Sequence, residues 1–371
     1  MRHSLLAAAL LTALMAGCKA DAPTSPAASP VSATAAASQA DSRFTELSKR
    51  WLEGWLPLNP VSATQIGDHR FDAELDDVSA AGRQRALDFS KKILAELDAI
   101  DAGTLSRENQ VDAAILRNQL RGDIWSTETL QAWAWDPQGY NSLAGGAIYN
   151  LMAREFAPLP ERLKSATARM EKLPAMFVQM RAEIVPARVP KIHAETVAKQ
   201  NAGLLSLIDT FITPNADKLQ GDERTRLDAA VAGLRKAVAE HQAWLDKTLV
   251  PNAKGDFRIG QKLYDEKLLF SLNSELTRPE IRQRAEAEIE RVRGEMYAVA
   301  RTVLKDKPGA PELPENPTEE QKQEAIEAAL QLAYAERPAR DKVVEYATQT
   351  TKDATDFVRA KDLVTVPDDP V

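Results

Sequence analysis

The side chains in this sequence best suited to chemistry are few: four histidines, His3, His69, His193 and His241, and a single cysteine, Cys18. A zinc peptidase on a helical scaffold needs two histidines one turn apart with a glutamate between them, so that both imidazoles reach one ion and the carboxylate works as base. No two histidines here have that spacing. His193-Ala194-Glu195 has the His-x-Glu of a zinc deaminase, but the Pro-Cys-x-x-Cys partner cannot be built from one cysteine. The other reading of His193 is an ordinary helix start after Pro190. His241 falls on an apolar helical stripe, which favours a neutral core histidine with one hydrogen-bond partner over a ligand or proton shuttle. Serine chemistry lacks its Gly-x-Ser-x-Gly elbow and its Ser-x-x-Lys, and nucleotide chemistry lacks its glycine-rich loops. The residues therefore assign no catalytic group and no metal ligand.

Cys18 carries a different chemistry. It follows Leu14-Met15-Ala16-Gly17 at the end of an apolar run that starts at Leu5, behind the basic Arg2. A charged start, a short apolar stretch and small residues before a cleavage point are what the export machinery reads, and the run is too short to span a bilayer. The pattern resembles a bacterial lipobox, in which the cysteine thiol receives a diacylglyceryl group; the competing reading is a buried free thiol. On the lipobox reading, residues 1–17 are a signal peptide and Cys18 is the lipidation site. Residues 18–40 are then a tether, rich in Ala, Ser, Pro and Thr, with a reach of roughly 25 Å. Lys19, rather than Asp, after the cysteine is compatible with the periplasmic face of the outer membrane.

With 47 basic and 54 acidic residues the formal charge is −7. Neither that sign nor any run of Lys and Arg suits a nucleic-acid partner. From Asp41 onward apolar residues recur at spacings of three and four, as in Leu227, Val231, Leu234, Val238, His241 and Leu245. A second stripe runs through Ile281, Ala285, Ile289, Val292, Met296, Val299 and Val303. Thr277 with Glu280, and Thr318 with Gln321, have the spacing of capping boxes. Similar patterns cover about 43–56, 80–100, 107–131, 160–185, 191–212 and 341–358, with Pro174 expected to kink or split one of them. No alternating strand pattern of useful length appears. The expected fold is all-α, a multi-helix array of long amphipathic helices, with a main domain over 41–304, a proline-rich connector over 305–317 and a terminal helical pair over 318–371. Trp51 and Trp55 share a helix face and read as core. Trp125, Trp133, Trp135 and Tyr140 surround Asp136-Pro137-Gln138-Gly139, which reads as a loop that either packs or lines a cleft for peptide or sugar.

Several segments in order resemble a known family. Asn59-Pro60-Val61-Ser62-Ala63-Thr64-Gln65-Ile66-Gly67-Asp68-His69-Arg70-Phe71-Asp72, then Leu75-Asp76-Asp77-Val78-Ser79, are similar to the amino-terminal signature of domain-of-unknown-function family 885. Phe257-Arg258-Ile259-Gly260 with Tyr264, Lys267 and Leu268, then Leu276 to Ile281 and Ala285 to Arg301, resemble its central helices. The resemblance implies a metallopeptidase-like helical scaffold, a peptide substrate, and zinc held by a histidine-glutamate motif in the carboxy-terminal third of full-length members. No position here matches that motif. The expectation is therefore a truncated array, without its own cofactor, that presents an apolar face where the remainder would dock. Two functions follow. One is the substrate-facing portion of a metallopeptidase-like lipoprotein anchored to the cell envelope; the other is a non-catalytic peptide-binding or scaffolding lipoprotein. Gly67, Asp68, His69 and Arg70, with Tyr264, are the candidate cleft residues, the plainer role being a structural turn that caps a neighbouring helix.

Overall fold

The computed structural model describes residues 30–367, with side chains from residue 39 onward, so Cys18 and the signal segment lie outside the described residues. The described chain is all-α, a multi-helix array with no strand among the described residues; one parallel bridge joins Pro190 and Gly255. No helix of the described residues is long and apolar enough to cross a membrane.

Two compact units divide after Ser274. In the first, α1 spans Pro30–Trp55, α2 Pro60–Ile66, α3 Ala80–Asp98, α4 Arg107–Trp125, α5 Pro137–Met152, α6 Leu159–Glu183, α7 Lys191–Gln200, α8 Gly221–Trp244 and α9 Gln261–Leu272. In the second, α10 spans Arg278–Leu304, α11 Glu319–Ala335 and α12 Val343–Lys361.

The central pairing is α6 on α8. Leu163, Ala166, Met170, Leu173, Met176 and Phe177 of α6 meet Leu227, Leu234 and Val238 of α8, and Ala144, Ala147, Ile148 and Leu151 of α5 close the same core. Each fully buried Leu, Met or Phe contributes about 1.5–3 kcal/mol. A second core joins Phe44 and Leu47 of α1 to Ile93 and Leu97 of α3 and to Leu116 and Leu120 of α4. Pro174 lies inside one continuous α6.

The structure corrects three expectations. Helix α1 begins at Pro30, so it takes in the second half of the expected tether. Proline is pre-set for a first helical turn, and the alanine-rich residues behind it favour helix. The expected loop after Asp136 is α5. The Asp136 side chain accepts from the Gln138 N–H as N-cap with Pro137 at the first turn, and the residues that follow bury a full apolar face. The break between units falls at Ser274 and not at the connector. Helix α10 packs on α11 through Tyr297, Ala300, Leu304 and Ala325, with Ala310 and Leu313 of the connector folded onto them and the Tyr297 hydroxyl donating to the Pro314 carbonyl at 2.6 Å. The stripe Ile289, Met296, Val299 and Val303 of α10 is exposed. With Leu330 and Leu332 of α11, three of these four residues line an open apolar groove of about 520 Å³. Both capping boxes form, Thr277 with Glu280 and Thr318 with Gln321.

His241 sits in the core, 4% exposed, with its ring stacked at 4.6 Å from Phe177 and 5.7 Å from Trp244. Its Nδ1 has no hydrogen-bond partner. Burial, and then the nearby Arg181 charge, push its pKa down to about 4. The unfolded chain, with histidine near its ordinary value, therefore binds more protons between about pH 6.5 and 4. Stability is full above that window and falls as pH drops through it, by on the order of 3 kcal/mol at pH 4 for this one group. Denaturant titrations at pH 7 and pH 4.5 on the native chain and on His241→Phe should show a smaller pH dependence in the variant; equal dependence would remove His241 as its source.

Candidate functional site

The signature segment folds as a short helix and a hooked turn against α6. Asn59 donates its side-chain N–H to the Trp55 carbonyl, Pro60 opens α2, and Gly67 ends it with φ of 95°, a left-handed conformation that glycine adopts without strain. Asp68 then caps the short helical turn His69–Phe71, its carboxylate accepting from the Arg70 N–H.

Beneath this turn lies a residue that belongs to no motif in the sequence. Arg169 of α6 is fully buried, and its guanidinium spends every face on the turn and its neighbours. It donates to the carbonyls of Glu74 at 2.9 Å, Ala147 at 3.1 Å, Pro60 at 3.1 Å and Phe71 at 3.5 Å, and to the Thr64 hydroxyl at 2.7 Å. Thr64 passes the interaction on, donating to Asp72 Oδ1 at 2.6 Å, while Asp72 Oδ2 lies 3.0 Å from His69 Nδ1. The His69 ring stacks on Phe156 at 3.6 Å, nearly parallel. Asp76 accepts from the Val61 N–H at 3.1 Å. Burial pushes its carboxyl up, against the pull of that N–H and of Arg169. Burial likewise lowers Arg169 to about 10, and Asp72, Asp76 and Glu74 oppose that shift. The guanidinium thus remains a cation at neutral pH, with carboxylates placed to balance it.

The four candidate turn residues do line one shallow depression, of about 700 Å³, with Leu52, Leu56 and Ile66. Their polar atoms are already committed. Arg70 grips Glu53 at 2.7 Å with one side of its fork and Asp68 at 2.7 Å with the other, holding both carboxyls below the usual carboxylate range. His69 is bound to Asp72. Tyr264, on α9, is exposed and does not line this depression. Through Arg70 the turn after α2 is clamped to Glu53 near the end of α1.

The aromatic group packs as a knot. Trp125 Nε1 donates to Glu266 at 2.7 Å, Trp133 Nε1 to the Thr127 carbonyl at 3.0 Å, Trp135 Nε1 to the Leu130 carbonyl at 2.9 Å and the Tyr140 hydroxyl to the Trp133 carbonyl at 2.8 Å. Arg83, paired with Glu183 at 2.7 Å, lies 3.7 Å over the Trp133 ring. Burial and the Glu183 charge push Tyr140 up to about 12. His193 faces Asp136 at 3.4 Å and stacks near Trp135.

A zinc ion was the cofactor implied for full-length relatives. Among the described residues no three of His, Cys, Asp and Glu converge. The three described histidines stand in separate settings: His69 on Asp72, His193 on Asp136, His241 between two aromatic rings. These donors do not fit a zinc centre, and no step is assigned through one.

The chain belongs to the family of bacterial proteins of unknown function DUF885, whose profile matches residues 60–371. Among solved structures it is similar to a protein from Shewanella oneidensis described as a lipoprotein of unknown function, with 26% identity and a TM-score of 0.69. That likeness covers 88% of this chain and 59% of the other, so this chain spans under two thirds of that protein's length. No curated protein matches.

Removing one partner of a buried, hydrogen-bonded ion network costs about 3–5 kcal/mol, because the remaining carbonyls and carboxylates are left unpaired. Arg169→Met should destabilise the first unit by about that amount in urea titrations, whereas Arg70→Ala, at the surface of the same turn, should leave the midpoint essentially where it is. Equal midpoints for native and Arg169→Met would remove the buried guanidinium as the keystone of the turn.

Proposed function

We propose that the chain is an exported lipoprotein of the bacterial envelope, held by acyl groups on Cys18, with the helical array displayed at the periplasmic face of the outer membrane. The observation that carries this reading is the run Leu14-Met15-Ala16-Gly17-Cys18 behind an apolar stretch and a basic start. The description of the Shewanella oneidensis relative as a lipoprotein supports it. An anchor of more than one acyl chain holds firmly where a single chain would not, because each buried methylene contributes about 0.8 kcal/mol.

The array's task in this reading is to face peptide in the periplasm, as the metallopeptidase-like resemblance implies. The separate settings of His69, His193 and His241, with no convergent donor set among the described residues, favour binding or scaffolding over hydrolysis by this chain's described residues alone. Arg70, Asp68 and Glu53 are spent on one another, so the signature turn contributes shape to such a surface and no catalytic group.

Growth with an alkyne-bearing fatty acid, followed by fractionation, tests the anchor. The native chain should carry the label and sediment with the outer membrane, and Cys18→Ser should lose the label and appear in the soluble fraction. Label-free native protein, or unchanged partitioning of Cys18→Ser, would overturn the reading.

A further inference from the structure

The first unit contains a small polar pocket that the signature turn does not use, of about 330 Å³, where the end of α1, α3 and the end of α4 meet. Trp55 and Asn59 form one wall, Phe89 and Ser90 of α3 a second, and Asp123 of α4 with Ser126 a third. The third wall is shaped by a π-helical turn, Ser126–Leu130, which directly follows α4. Single π-turns displace the residues beside them from the regular helical register and recur at ligand sites.

The electrostatics of this pocket are one-sided. The Asp123 carboxylate accepts one hydrogen bond, from Gln119 Nε2 at 2.8 Å, and no Lys, Arg or His among the described residues pairs with it. Burial pushes its carboxyl up, and the Gln119 N–H offsets only part of that shift. The surrounding hydroxyl and amide side chains can orient a hydrogen-bonding ligand but do not neutralise a charge. Two aromatic rings complete the wall, and aromatic faces attract cations. An anion would meet the carboxylate directly. One carboxylate is too few oxygen donors for a metal ion, which takes six or so.

We propose that this pocket binds a small organic cation through a protonated primary amine, the ammonium on Asp123 and a short polar body against Asn59, Ser90 and Ser126. A volume near the lower end of ligand pockets, about 300–1,000 Å³, suits the first residue or two of a peptide or an amino sugar. The site does not depend on the acyl anchor or on the peptide-facing reading of the array; a peptide occupant would join it to the latter.

Calorimetric titration of the purified full chain in detergent tests it, with glycyl-serine and glucosamine as probes and their N-acetylated forms as partners. At least one free amine should bind saturably and its acetylated form about tenfold or more weakly, the loss expected when a charge-assisted hydrogen bond is removed. Asp123→Asn should weaken the free amine by a similar factor, substitution of Ala86, which lines the pocket from α3, by Phe (Ala86→Phe) should abolish binding by filling the pocket without changing the carboxylate, and Glu240→Gln on the exposed face of α8 should change nothing. Binding of the dipeptide supports the peptide-facing array as well; binding of glucosamine alone supports the pocket and counts against that array. No saturable binding of either amine, equal binding of free and acetylated forms, or native affinity in both pocket variants would overturn the proposal. Should Asp123→Asn fail to fold by circular dichroism, the acetylation comparison and Ala86→Phe still decide.

Discussion

A cation buried without water must be surrounded by oxygen, and the first unit is arranged around that requirement at Arg169. Five acceptors converge on its guanidinium from Pro60, Thr64, Phe71, Glu74 and Ala147. None of them could be satisfied by an apolar replacement of the same size. The planar fork reads the positions of α2, the hooked turn, the strandless segment after it and α5 in a single group, which a lysine could not do. Apolar burial along α6 and α8 supplies the bulk of the stabilisation, but it is non-directional. The guanidinium is what makes one register of these helices the satisfied one.

That dependence changes what the signature turn means physically. Gly67 is needed for a left-handed helix end, Thr64 for a hydroxyl that both accepts from Arg169 and donates to Asp72, and Asp72 to balance charge while it holds His69. Each is a polar or conformationally special residue of the kind usually taken to signal catalysis. Here their polar atoms point inward or at one another.

The fold class was legible because amphipathic periodicity is a property of long segments, and α8 shows it without ambiguity: Leu227, Leu234, Val238 and His241 are buried as the stripe requires. What periodicity missed has specific causes. Helix α5 hides behind Asp136-Pro137 and three glycines, Gly139, Gly145 and Gly146; a cap and a small-residue face read as a loop until the partner helix is present. The π-turns at Ser126–Leu130, Ile208–Ile212 and Leu245–Leu249 extend helices whose own spacing stays near 3.6, so a stripe runs on in sequence while the backbone shifts its register. Arg169 was invisible because its partners are mostly backbone carbonyls, which leave no trace in side-chain type. The exposed stripe of α10 shows the converse: spacing gives a face and cannot say whether anything covers it.

The same limit governs the site. His69, His193 and His241 are one residue type in three environments, a carboxylate-bound ring in a turn, a ring beside an N-cap and a ring sealed between aromatics. Desolvation, with the Arg181 charge adding to it, holds His241 neutral. Asp123 presents the opposite case, a residue with no motif around it whose surroundings leave its charge unmatched. Reactivity and recognition follow from unsatisfied charge at an accessible wall, so in this molecule the chemically informative carboxylate is the one outside the family signature. The signature's own carboxylates, Asp68 on Arg70, Asp72 on Thr64 and His69, and Asp76 on the Val61 N–H, are already neutralised or hydrogen-bonded within the fold.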